Sequence, residues 1–386
     1  MSSLDQIIDN TVERGVAPFL VAMVTDREGV VWEHSAGQAN AARAAGPDTV
    51  FTLFSMTKAI GSLMAVMAID RGLITLDTPV GDVLPAFDEL QVLEAVTAEG
   101  PRYRKPRTRA TLRHLLTHTS GMGYEPFYPL MAEYAEATPS HSTDVTGTHA
   151  SLNYPLLFDP GQDFAYGVST DWVGALVAEL DGRPMDRLLR EDILDPLGMT
   201  NTYFERAQAG DHLADQALKH PDGTLEPCQV FPAANPEIYH MGHALYGSAA
   251  DYLSFLRLVL NRGEHDGHTI VGSDAMGLMF ENQLGGVTLP TPVIKSYIPS
   301  MSYDIEPCPG LRKTHTAGFF RTEEATPGMR GVGSLTWAGV LNSHYWIDPS
   351  RGIAAVFMTQ MLPFCDPDLM ASLDDFERAV CEKFGR

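Results

Sequence analysis

Ser55 and Lys58 stand three residues apart at the head of FTLFSMTKAIGSLMAVMAI, residues 51–69, which is almost wholly apolar from Ala59 to Ile69. A helix starting near Ser55 places positions i and i+3 on one face. The serine oxygen then lies at the positive end of that helix, with the lysine amine one turn in beside it. The apolar body behind Lys58 keeps water away, and desolvation and the helix N-terminus both disfavour an ammonium. A neutral amine beside a hydroxyl can accept its proton, so the pair reads as nucleophile and general base. The tetrad alone is weak, because Ser-x-x-Lys arises by chance about once in a chain this long. Of the six lysines, however, only Lys58 opens a strongly apolar helix. The competing reading makes Ser55 a helix N-cap and lets Lys58 snorkel to the surface.

The elements that must position this pair follow from periodicity. Leu4, Ile7, Ile8 and Val12 mark one face of a helix over residues 3–14. FLVAMVTD and VVWEHSAG, separated by Arg27-Glu28-Gly29, predict a hairpin. HTAGFF, SLTWAGVL, SHYWIDP and IAAVFMTQ predict antiparallel strands near the other end, and DLMASLDDFERAVCEKF closes the chain as an amphipathic helix. TLRHLLTH, TDWVGALVAEL, MDRLLREDIL and AADYLSFLRLVLNRG show helical spacing in between. Asp251 is a candidate cap for the last of these and Gly263 its stop. Strands at both ends with helices between them predict one body built from residues 1–82 and 240–386, with a helical domain, 83–239, inserted. The junction of two such units is a common place for a ligand.

Composition narrows the function. The chain has 386 residues, 44% hydrophobic and 20% charged, enough to bury a large core. Its net charge of -22 repels phosphate backbones and anionic lipid, so neither nucleic acid nor a membrane is an expected partner. The N-terminus lacks a basic region followed by an apolar run, and Cys228, Cys308, Cys365 and Cys381 lack zinc-like spacing. Free thiols and a cytoplasmic location are the expectation. Oligomeric state is not readable.

Further motifs place the pair in context. SMTK at 55–58, HLLTHTSGMG at 114–123, DPLGMT at 195–200 and WAGVLNSHYWIDP at 337–349 occur in order along nearly the whole chain. In these the sequence resembles the serine β-lactamase-related hydrolases, and within them the family VIII carboxylesterases, relatives of class C β-lactamases and DD-peptidases. The resemblance implies an α+β, β-lactamase/DD-peptidase-like fold: an antiparallel sheet from both termini flanked by helices, plus the inserted helical domain. It also implies that Tyr166, in FAYGVSTDWVG, points at the nucleophile and relays its proton with Lys58. The backbone N–H groups of Ser55 and Val340 are implied as the oxyanion hole, Val340 on the strand following Trp337-Ala338-Gly339, with Gly339 allowing close approach.

Two departures bear on substrate. Tyr166-Gly167-Val168 lacks the asparagine of the class C Tyr-x-Asn. Trp337-Ala338-Gly339 stands where those lactamases carry Lys-Thr-Gly, while Lys313-Thr314-His315 lies too early. Losing that cation removes a grip on a substrate carboxylate and favours neutral esters over penicillin-like anions. Trp337 is a candidate wall of the acyl pocket, and Tyr124, like Tyr128, a candidate cleft residue or a structural aromatic. The expected activity is cleavage of short-chain carboxylic esters through an acyl-enzyme on Ser55. Acyl transfer, amide or D-amino-acid peptide hydrolysis and weak β-lactam hydrolysis share the same site, and a non-catalytic penicillin- or peptidoglycan-binding protein is the alternative of another class.

Other constellations are weaker. His114 and His118 share a predicted helix face at metal-ligand spacing but lack an accompanying carboxylate, and His240-Met-Gly-His243 falls on a predicted loop. No metal or cofactor is expected. There is no Gly-x-Ser-x-Gly elbow.

Overall fold

FLVAMVT and IAAVFM carry apolar or small side chains at nearly every position, the pattern of strands covered on both faces. The computed structural model, which describes residues 3–138 and 146–385, places them side by side and antiparallel, Val21 opposite Met358 and Ala22 opposite Phe357. They lie within a seven-stranded antiparallel sheet. Its order is Lys313–His315, Phe320–Thr322, Leu335–Gly339, Ser343–Asp348, Ile353–Met358, Phe19–Thr25, Val30–Gly37. The period of two divides each central strand between two cores. Phe19, Val21, Met23, Val356 and Met358 face one; Leu20, Ala22, Val24, Ala355 and Phe357 face the other.

The outer core is closed by the two terminal helices. Leu4–Glu13 begins with a capping box between Ser3 and Gln6, and Pro367–Phe384 is capped by Asp366, whose carboxylate accepts from Leu369 N–H. Ile8, Leu369 and Val380 fill this layer, and Phe376 packs on Trp32, Trp346 and Phe357. The guanidinium of Arg330 pairs with the buried carboxylate of Glu377 on the closing helix.

The inner core is larger. Helix Ala249–Leu260 covers the sheet, and helix Thr57–Asp70 is buried from Thr57 through Ala68. This inner core continues into Ser169–Asp181 and Met185–Leu189, so apolar packing reaches from the sheet to the inserted helices without a break. The architecture is therefore α+β, an antiparallel sheet drawn from both ends of the chain with helices on each face.

Local details depart from the sequence reading. Ser248, not Asp251, caps Ala249–Leu260; its hydroxyl accepts from Asp251 N–H, while the Asp251 carboxylate accepts from Asn201 N–H and the Thr202 hydroxyl. TLRHLLTH is helical only over Leu112–Leu116, and His118 leaves it at φ +56°, so His114 and His118 share no helix face. MDRLLREDIL splits into Met185–Leu189 and a π turn, Arg190–Leu194. A hairpin of Val92–Thr97 and Gly100–Arg104 lies within the helical segment and has no counterpart in the sequence reading.

Phe376 is fully buried among three aromatic rings. Phe376→Ala is expected to lower stability by about 3–5 kcal/mol, read as an earlier urea midpoint, without changing the cleft on the opposite face.

Candidate active site

Ser55 is presented by a short, heavily tethered segment. Strand Val50–Thr52 pairs with Tyr246–Ser248, and Leu53 N–H donates to the Leu245 carbonyl at 2.9 Å. Phe54 then turns at φ +44°, a left-handed conformation in which a bulky residue is strained. A 3₁₀ turn, Phe54–Met56, leads into helix Thr57–Asp70, and the Tyr252 hydroxyl donates to the Met56 carbonyl at 3.0 Å. Strain of this kind persists only where the surroundings over-determine it, and it holds Ser55 at the cleft.

The bland reading of the pair fails on both counts. The residue preceding the helix is Met56, with no side-chain cap, so Ser55 is not an N-cap. Lys58 is 3% exposed, so it does not snorkel. Its Nζ donates to Gly242 O at 2.8 Å, to Tyr124 Oη at 3.0 Å and to Ser55 Oγ at 3.3 Å. The amine also lies 4.8 Å from the ring centroid of Tyr166 and 5.1 Å from that of Tyr124. A hydroxyl, an amine and two phenols thus converge where a proton could pass among them.

Tyr166 is fixed from several sides. Its N–H donates to the Tyr128 hydroxyl at 2.8 Å, its carbonyl accepts from Tyr124 N–H, and its own hydroxyl accepts from Trp337 Nε1 at 3.0 Å. Trp337 therefore both joins the sheet and bonds a tyrosine of the site. Tyr124, read from sequence as a cleft residue, directly contacts Lys58.

The strand Leu335–Gly339 ends against the turn that carries Ser55. A β-carbon on Gly339 would strike the carbonyl oxygen of Leu53, so glycine alone permits this approach. Val340 lies just past the end of that strand, in the turn to Ser343–Asp348, rather than on the strand. It borders the same cavity as Ser55. That cavity holds about 680 Å³ including its open mouth and is walled by Phe127, Val230, Met301, Ile305, Trp337 and Phe364 among others. Most of these walls come from loops that carry no sequence motif. Lys313 does not enter it, pairing instead with Glu306.

Three buried histidines surround the cluster. Burial, with His315 and Lys58 nearby, holds His118 well below the usual imidazole range; burial brings His315 down to about 4; and burial, with His240 and Lys58 nearby, depresses His243. All three are neutral near pH 7. His118 sits between the rings of Tyr166 and His315, at 4.9 and 5.5 Å, and His243 borders the cavity. His114 instead receives the Thr111 N–H on its ring nitrogen, a helix-end hydrogen bond. His240 and His243 are brought together with Asp171, their donor atoms within 4.8 Å of one another. Neither Asp171 nor the Gly242 carbonyl was visible as part of the site from sequence.

A family model described as β-lactamase matches residues 4–373. The monacolin J acid methylbutanoyltransferase of Aspergillus terreus is 32% identical over 87% of this chain and 83% of its own. The lovastatin esterase of Penicillium rubens is 27% identical over 87% of this chain and 86% of its own. Simvastatin synthase from Aspergillus terreus superposes with a TM-score of 0.85 at 27% identity, covering 98% of each chain. The chain belongs to the β-lactamase family and is an enzyme of its serine-dependent superfamily.

Proposed function

We propose that the protein is an acyltransferase that carries an acyl group on Ser55 from an ester or thioester donor to an alcohol. The observation that carries this reading is the Ser55–Lys58–Tyr124 hydrogen-bonded cluster opening into an apolar, aromatic-walled cavity. Ser55 Oγ attacks the donor carbonyl as its proton passes to Lys58 Nζ. The backbone N–H groups of Ser55 and Val340 receive the oxyanion. Lys58, with the phenols of Tyr124 and Tyr166 beside it, returns the proton to the leaving oxygen or sulfur. The acceptor alcohol then gives its proton to Lys58 and takes the acyl group, and Lys58 passes that proton to the departing Ser55 Oγ, restoring the serine hydroxyl and the neutral amine.

The choice of acceptor follows from the walls. Among the described residues lining the cavity there is neither arginine nor lysine, so nothing there grips a carboxylate, and neutral acyl groups suit it. Apolar walls also favour an organic alcohol over water as second substrate. The similarity to a methylbutanoyltransferase supports the same order of preference, and moves the ester hydrolysis expected from sequence to a second reading. Hydrolysis keeps its place because a relative of comparable coverage is named an esterase. In that reading water replaces the alcohol in the last step.

A p-nitrophenyl acyl donor incubated with increasing alcohol distinguishes the two. Transfer predicts that ester replaces free acid as the main product in the millimolar range of alcohol; acid alone at every concentration leaves hydrolysis. Ser55→Ala is expected to lose covalent labelling by a fluorophosphonate and to lower turnover by roughly ten-thousand-fold. Gly339→Ala, which pushes the strand end off Leu53, is expected to cut kcat about a hundredfold while circular dichroism stays native.

A further inference from the structure

Lys58 is held on its buried side by a turn remote from it in sequence. The carbonyl of Gly242 accepts from Nζ at 2.8 Å, and the N–H of the same residue donates to Asp171 Oδ1 at 2.6 Å. Asp171 lies in the first turn of helix Ser169–Asp181, five residues after Tyr166, and is 1% exposed. A β-carbon on Gly242 would stand 2.6 Å from Asp171 Oδ1, so only glycine lets the carboxylate close on the backbone there. The second carboxylate oxygen has no hydrogen-bond partner among the described residues. A carboxylate buried this way is costly. Burial raises its pKa, and the neighbouring His240, Lys58 and Gly242 N–H oppose that rise only in part.

We infer that Asp171 is a positioning residue for Lys58: its carboxylate fixes the Gly242 backbone, whose carbonyl holds the amine against Ser55 and Tyr124. The inference rests on the reading of Ser55 and Lys58 as the acyl-transfer pair. Asp171 touches neither substrate nor the reacting atoms. It works through the main chain of one residue and as a buried negative charge close to the amine. The donor atoms of Asp171, His240 and His243 lie within 4.8 Å of one another, with His243 Nδ1 at 3.9 Å from Asp171 Oδ1. With Lys58 adjacent and the Gly242 N–H aimed at the carboxylate, the cluster is arranged around an anion rather than a second cation.

The test uses the full chain, a p-nitrophenyl ester and two variants. Asp171→Ala removes both the acceptor oxygen and the charge, and is expected to lower kcat about a hundredfold with KM within about threefold of wild type. Asp171→Asn keeps an oxygen for the Gly242 N–H and removes only the charge, so kcat recovers to within about tenfold of wild type. Its pH profile also changes. His118, His243, Tyr124 and Tyr166 face the amine in both proteins, and the lost carboxylate had favoured the ammonium, so the acidic limb of kcat moves to lower pH. A purely structural role would not move that limb. Wild-type kcat in Asp171→Ala overturns the inference, as does an Asn variant with no recovery or an unmoved limb. If Asp171→Ala does not fold, the Asn variant and its profile decide. A wild-type enzyme that turns over while Asp171→Ala matches it overturns this inference alone; one inert to both donor and fluorophosphonate overturns the acyl-transfer reading with it.

Discussion

A lysine amine kept out of water is the constraint around which the rest of the structure is arranged. Lys58 enters a helix that is buried from Thr57 to Ala68, so its amine has no route to solvent along its own element. Burying such a group is costly unless its hydrogen bonds are met. Here they are met by Ser55, Tyr124 and Gly242, contributed by three separate parts of the chain. The same arrangement that satisfies the amine puts it beside a hydroxyl. Stability and the proposed chemistry thus ask for the same geometry.

The sheet serves this arrangement at a distance. Its central strands are covered on both faces, which leaves their ends as the places where backbone can approach other segments. The strand Leu335–Gly339 uses its end to press on Leu53, and its Trp337 uses an indole N–H to hold Tyr166. The inserted helices supply the opposite wall, with Tyr124 and Tyr166 joined backbone to backbone. Neutral histidines and aromatic rings fill much of the space around the amine, so its surroundings stay poorly solvated, and the charge brought close to it is the Asp171 carboxylate behind Gly242.

What the sequence disclosed was local or periodic. Ser55 and Lys58 are three apart in an apolar run, and a single helical turn brings them together. The strands at both ends follow from short, nearly continuous apolar runs, whose successive side chains two cores then share. Tyr166 and Val340 came from position within motifs, with Val340 expected on the strand and found one residue past its end. The contacts that escaped are long-range: Lys58 to Tyr124 spans 66 residues and Lys58 to Gly242 spans 184. No periodicity encodes such pairs. The cap of Ala249–Leu260 was misread because Ser248 and Asp251 are both cap-forming types three residues apart, and only the hydrogen bonds separate their roles. His118 was placed on a helix because its pattern continues one, whereas the backbone breaks at φ +56°.

The order of the strands has a consequence for biosynthesis. Phe19–Thr25 pairs with Ile353–Met358, so the middle of the sheet cannot close until the segment Ile353–Met358 has been synthesised. Contacts so distant along the chain form slowly. The turn holding Ser55 gains its neighbour at Gly339 only then. A nascent chain therefore carries Ser55 in an unassembled setting until the strand that ends at Gly339 is in place.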